Sequence, residues 1–184
     1  MRRVVTGHDA SGKSVIVDDG QPPRTHDFAS FPGFSSTVAW STDAALPVSP
    51  DGADPTGALQ SLLPTPGQTR LIILTLPPDS SMADPSFDGP GYVAEQLEHS
   101  PGLAETFEPD GMHTTPTIDY TLVLDGVVTL ELDDGVTTDL RSGDLVVQNG
   151  TRHAWRNRTD TVVTLAAILI GTDKKNLNDD VKQR

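Results

Sequence analysis

The sequence predicts an all-β protein, a barrel or sandwich of short strands. Three observations lead there. Short runs rich in Val, Ile, Leu and Thr recur along the second half of the chain. Turn signals separate them: Asp125-Gly126, Asp133-Asp134-Gly135 and Ser142-Gly143-Asp144. Glycine and proline number 16 and 15 among 184 residues, which leaves little room for long helices.

Taken in order, Arg2 to Thr6 and Ser14 to Val17 are β-branched runs joined by a Gly-containing link, the pattern of a hairpin. Residues 24 to 34 carry no clear period. Ser36 to Ser41 reads as a strand with Val38 and Trp40 on one face, because strand side chains alternate. Residues 43 to 69, rich in Pro, Gly, Asp and Ala, read as a long loop with a lid role. Arg70 to Leu76 is a strand ended by Pro77-Pro78. Tyr92 to His99 reads as a short helix and Leu103 to Phe107 as one further turn. Strands are then expected at Ile118–Leu124, Val127–Leu132, Thr137–Leu140, Leu145–Gln148, Ala154–Asn157 and Val162–Ile170. A polar tail runs from Thr172 to Arg184, read as a frayed end or short exposed helix.

Composition narrows the function. With no cysteine, neither disulfides nor thiolate metal sites are available. A formal charge of −13 argues against nucleic acid and anionic membrane as partners, since phosphate-binding surfaces need an excess of Lys and Arg. The longest apolar run, Val162 to Ile170, is too short to span a bilayer, and the first residues lack a secretory pattern. A cytoplasmic protein is the expectation.

The chemistry concentrates between Gly111 and Asn157. His113, Thr115, Thr117 and Asp119 have equal parity, so a regular strand turns all four to one face, where His153 from a later strand joins them. The spacing resembles the two motifs of the cupin superfamily. His113 takes the first His of a His-x-His pair, Thr115 replaces the second, Asp119 replaces the Glu, and Gly126 comes after six residues. Gly143, then Gln148-Asn149-Gly150, His153 and Asn157 occupy the second motif, with Gln for Pro and one residue fewer before the turn. The resemblance covers about residues 105 to 171. It implies a double-stranded β-helix, the jelly-roll barrel, with extra N-terminal strands and one or two short helices. The chain divides into residues 1–104 packing on the barrel, 105–171 forming it, and the tail 172–184, all one structural domain.

The resemblance also implies a divalent metal, one of Fe, Zn, Mn, Ni or Co, on His113, Asp119 and His153. Such a triad leaves positions open for a substrate. Thr115 would then bond a metal-bound water. Trp155 and Arg156 are candidate cavity or substrate residues, and Tyr120 and Arg152 candidate catalytic ones, Arg152 suiting a substrate carboxylate. Each has a plainer reading: packing for Tyr120 and Trp155, surface ion pairs for the arginines. Asn157 reads as structural. His8, His26 and His99 have no spaced partners and read as surface or loop residues; Glu105 and Glu108 read as solvated. Two functions are open to such a chain. One is a metal-dependent enzyme acting on a small organic acid or carbonyl compound by decarboxylase, lyase, isomerase or dioxygenase chemistry. The other is a non-catalytic module binding a small ligand. Edge strands and the family habit predict a homodimer through residues 1 to 20.

Overall fold

In a computed structural model, described for residues 1–44 and 52–173, eleven strands and one α-helix form three sheets. The strands are β1 (Arg3–His8), β2 (Ser14–Gly20), β3 (Thr25–Asp27), β4 (Ser35–Thr42), β5 (Thr69–Leu76), β6 (Thr117–Asp125), β7 (Val127–Glu131), β8 (Thr137–Arg141), β9 (Leu145–Asn149), β10 (Ala154–Arg156) and β11 (Val163–Gly171). The helix α1 spans Gly89–His99. The large sheet has six strands in the order β3-β4-β5-β11-β6-β9; a smaller one has the order β10-β7-β8; β1 and β2 form a separate hairpin. Every named pairing is antiparallel. The all-β reading holds, and the strand positions agree with those expected to within a few residues.

Alternation drives the packing. Along β6, Thr117, Asp119, Thr121 and Val123 are buried, while Tyr120 and Leu124 are exposed. Val123 joins Val128, Val163 and Leu165 in a cluster between the sheets. A second cluster joins Val38, Leu62, Ile72 and Leu169. Leu62 is fully buried, so this end of the 43–69 segment plugs the core and is no lid. Residues 45–51 of that segment, and 174–184 of the tail, lie outside the described residues.

Three local readings change. Val38 and Trp40 do not share a regular face, because the β4–β5 register shifts between them. A bulge inserts one unpaired residue and re-aims the side chains beyond it. Residues 24–34 hold β3 and three buried phenylalanines, Phe28, Phe31 and Phe34, packed on Phe87 and Tyr92. Helix α1 starts three residues before Tyr92. Asp88 caps it by accepting from the Gly91 N–H at 3.0 Å, and a proline sits in its first turn.

What positions the site is a change of sheet. β9 belongs to the large sheet and β10 to the small one, with Gly150 between them at φ +63°. A Cβ there would meet the Thr115 carbonyl oxygen at 3.3 Å, so the turn needs glycine for conformation and for space. The chain makes a second passage between Met112 and Thr117, where His113 is bridged to Phe107 and to His153.

Candidate functional site

His113 and His153 exchange both backbone hydrogen bonds, at 2.9 and 3.0 Å. Opposed residues in that arrangement carry neighbouring side chains. The two rings lie 4.2 Å apart between centroids, and both residues are buried. His153 Nδ1 meets the Thr151 carbonyl oxygen at 2.9 Å and His113 Nδ1 meets that of Gly111 at 3.4 Å. A carbonyl accepts only, so Nδ1 carries the proton and each Nε2 keeps its lone pair. Burial lowers the pKa of both rings. His113 falls to about 4, first through burial and then through the like charge of His153. His153 is lowered by burial against the raising bond to Thr151. Both rings are therefore neutral at pH 7.

Asp119 is 7% exposed. Burial raises its carboxyl to about 6 against the opposing bond from Thr117. Thr117 in turn lies 2.7 Å from the Thr115 hydroxyl. If the Thr117 proton goes to the carboxylate, Thr115 donates to Thr117, which orders both hydroxyls. One oxygen of Asp119, Oδ1, has no partner among the described residues.

Opposite Asp119 in the β6–β9 register stands Gln148, 3% exposed. Its Oε1 accepts from the Thr151 hydroxyl at 2.7 Å, which fixes the amide orientation. Its Nε2 is the free end, without a partner among the described residues. An unpartnered acceptor and an unpartnered donor thus sit on adjacent strands, both on the inner face. Buried polar atoms left unbonded cost about 1–3 kcal/mol each, so such atoms in a folded chain call for an explanation. In the sequence, Gln148 reads only as a replacement in a turn. A signal for it exists: a polar residue two positions past Val146, at the inward parity of a Leu-Val-Val run.

The expected metal-ligand set is only partly assembled. Two neutral imidazoles with anchored Nδ1 atoms are suitable nitrogen donors. Among the described residues, however, no group of three or more His, Asp, Glu or Cys side chains is placed to hold a metal ion. The reason lies in topology. Asp119 is built into the large sheet between β9 and β11, while the histidines face each other on the isolated bridge outside it. The three-ligand set does not fit as arranged.

The other candidates fall apart. Tyr120 points outward and is 42% exposed, as strand alternation from Asp119 requires, so it has no catalytic place here. Arg152 is also withdrawn from catalysis. It is committed to Glu108 at 2.6 Å and Asp133 at 2.9 Å. Arg156 binds Glu131 at 2.6 Å and the Asp110 carbonyl oxygen at 2.7 Å. Trp155 meets His153 edge-on at 5.7 Å and packs on the valine cluster. Thr115 is buried and serves the threonine chain. Asn157, 1% exposed, ties the chain together: its Nδ2 donates to the carbonyls of Leu76 and Thr161, and its Oδ1 accepts from Thr159. Glu105 and Glu108 are exposed. His26 and His99 do have a partner, each other, with rings stacked at 3.4 Å.

Comparison with known proteins gives the same region a family. Residues 104–170 match the family model described as Cupin domain. The chain is 49% identical over 72 residues to Phomopsin biosynthesis cluster protein C' of Diaporthe leptostromiformis, covering 36% of this chain and 38% of that protein. It is 35% identical over 69 residues to the Cupin-domain-containing oxidoreductase srdD of Neurospora crassa, covering 38% and 33%. Each match thus spans well under half of the relative. An rmlC-like cupin family protein with a double-stranded β-helix fold, from Methanocaldococcus jannaschii, aligns at a TM-score of 0.39 and 12% identity over 60% of this chain and 77% of that one. Among the described residues no helix is long and apolar enough to cross a membrane. Residues 104–170, a stretch that holds both histidines and Asp119, are thus similar to the cupin domain family.

Proposed function

We propose that the chain is a small-molecule enzyme of the cupin type that removes a proton beside a carbonyl group, giving isomerase or lyase chemistry. The observation that carries this is the buried pair of unpartnered atoms, Asp119 Oδ1 and Gln148 Nε2, on opposed residues of β6 and β9, with Gln148 joined to the neutral imidazole of His153 through Thr151. A base works best with a pKa near the operating pH, and Asp119, held at about 6, meets that condition. Asp119 Oδ1 takes the proton from the α-carbon, and the electron pair moves onto the carbonyl oxygen. The Gln148 amide donates to that oxygen as its charge develops. Returning the proton to a neighbouring carbon completes an isomerisation. The imidazole Nε2 atoms accept hydrogen bonds from substrate hydroxyls. Arg152 and Arg156, the cations flanking His153 in sequence, are already paired with carboxylates, which favours a carbonyl compound over a substrate acid. Relatives named as oxidoreductases and as biosynthesis cluster proteins support the enzyme class.

Hydrogen exchange tests the reading without a known substrate. The protein is incubated in D2O with dihydroxyacetone, pyruvate and acetylacetone in turn, and loss of α-proton NMR signal is monitored. Exchange above the buffer rate is expected for at least one, falling at least ~100-fold in Asp119→Asn, the lower range for a positioned base. Exchange that survives Asp119→Asn overturns the assignment of the base. Binding without exchange in all three moves the chain to the non-catalytic class.

A further inference from the structure

A cavity of about 280 Å3 lies between β3, β4 and the last turn of α1, outside residues 104–170 and so apart from Asp119, Gln148 and the two buried histidines. Arg24, His26, Ser36, Glu98 and His99 form its polar wall. Arg24 is half-buried, and its Nη1 donates to the carbonyl oxygens of Thr56 at 3.1 Å and Leu59 at 2.8 Å. Those acceptors are neutral: they hold the guanidinium in place without balancing its charge. Among the described residues no carboxylate lies within 4.0 Å of Arg24, and its Nε and Nη2 make no hydrogen bond.

Arg141 and Arg158 also lack a carboxylate within 4.0 Å among the described residues, but both are exposed to water, whereas Arg24 is half-buried. Arg2, Arg3, Arg152 and Arg156 all have carboxylate partners. A charge drawn out of water costs free energy unless something pairs with it. Arg70, 4% exposed, also lacks a carboxylate within that distance among the described residues; the attraction of Asp43 acts on it ahead of the repulsion from Arg24. An anion on Arg24 would offset the cost there and ease that repulsion. The free Nε–Nη2 edge is the side of a guanidinium that takes two oxygens through parallel bonds.

The rest of the wall suits the same group. His26 and His99 are stacked with their planes 10° apart. Nε2 of His26 donates to Glu95 at 2.8 Å, so its Nδ1 can donate to an anion only when the ring is protonated. The Ser36 hydroxyl has no hydrogen bond among the described residues and adds a donor. Two carboxylates are near. Both oxygens of Glu95 are occupied by His26, Ala29 and Ser30. Glu98 has a side chain 77% exposed, where solvent screens it. We propose that this cavity binds a small oxyanion, a carboxylate or a phosphate group, held by Arg24 beside the His26–His99 stack. Its size, at the low end of small-molecule sites, admits a small organic acid or phosphate and not a nucleotide.

The test is an NMR titration of the histidine ring signals with sodium succinate and, separately, sodium phosphate. Each is carried to about 50 mM, where a millimolar site saturates, against sodium chloride at matched ionic strength. Saturable shifts at His26 and His99, with His113 and His153 unmoved, are expected for at least one anion. A response to succinate alone assigns a carboxylate, to phosphate alone a phosphate, and to both the shared oxyanion chemistry. Arg24→Lys, which keeps charge but loses the fork, should weaken binding at least ~10-fold. His26 and His99 signals that stay flat with both anions, or that respond to sodium chloride equally, overturn the proposal in the parent protein without any variant. So does an unchanged midpoint in Arg24→Gln.

Discussion

Asp119 and His113 respond to acid in opposite directions. Asp119 rises from 3.8 to about 6 on folding, chiefly through burial, so between those values the folded chain holds a proton that the unfolded chain has released. Its contribution to stability therefore falls as pH rises through that window, by at most about 3 kcal/mol. His113 falls from 6.5 to about 4, so the folded chain refuses a proton the unfolded chain takes up, and stability is lost as pH falls through that window. In the parent the two effects largely offset each other between pH 4 and 6. Asp119→Asn keeps the Thr117 contact and removes one of them. We expect this variant to be about 1–3 kcal/mol more stable than the parent at pH 7.5, with the gain vanishing near pH 4 and a steeper acid limb. Urea unfolding at both pH values checks this; an equal difference at both would show that Asp119 is not proton-linked. The sequence made the site residues legible through parity, since His113, Thr115, Thr117 and Asp119 are all buried. It did not reveal the partition between them. Parity places side chains on one face, whereas the departure of His113 onto a bridge with His153 depends on where the chain changes sheets.

At the scale of elements, the carboxylate of Glu95 ties α1 to β3 and the loop after it by hydrogen bonds, beside the packing of Tyr92 and the His26–His99 stack. Glu95 accepts from the backbone N–H groups of Ala29 and Ser30, from the Ser30 hydroxyl and from His26. Burial pushes its carboxyl up, but these bonds outweigh it and hold it at about 2. Because the folded value is lowered, this contribution is present above the ordinary carboxylate range and is lost as pH falls from 4.5 toward 2. Glu95→Ala leaves the donors at Ala29 and Ser30 without their acceptor. Amide exchange at 28–34 is expected to quicken at least ~10-fold while β6 and β11 stay protected, since local openings draw on local contacts. Exchange rising equally in β6 would show the helix to be part of the global unit. The helix itself was half legible. Tyr92 to His99 has helical character, but Gly89-Pro90-Gly91 reads as a breaker until Asp88 is seen capping them. The phenylalanines at 28, 31 and 34 fit neither period, because their burial comes from packing on Phe87 and Tyr92 across the fold and not from a regular element.

At the scale of the molecule, the strand positions of the second half were readable from turns and β-branched runs, but among the described residues only β7 and β8 pair there as a hairpin, and Asp125-Gly126, which reads as a hairpin turn, joins strands of different sheets. The placing of β3, β4 and β5 on the far side of β11 was not readable, because those pairings join residues distant in sequence. The β1–β2 hairpin stands as a sheet of its own and exposes Val4 at 46% and Ile16 at 63%. Unpaired edges with apolar faces favour association, and a homodimer through this hairpin remains our expectation. Sedimentation at micromolar concentration should find a dimer, and Ile16→Lys should shift it toward monomer; a monomeric parent would sink the idea. The crossing at Gly150 has a last consequence. The Asp119 carboxyl stands in one sheet and the two imidazoles on the bridge outside it, so no single strand sets the span between them. That span is a hinge opening, governed by the filling between the leaves at Val163 and Leu165, as a calliper is governed by its pivot. Trimming the pivot should retune the jaws without touching either one.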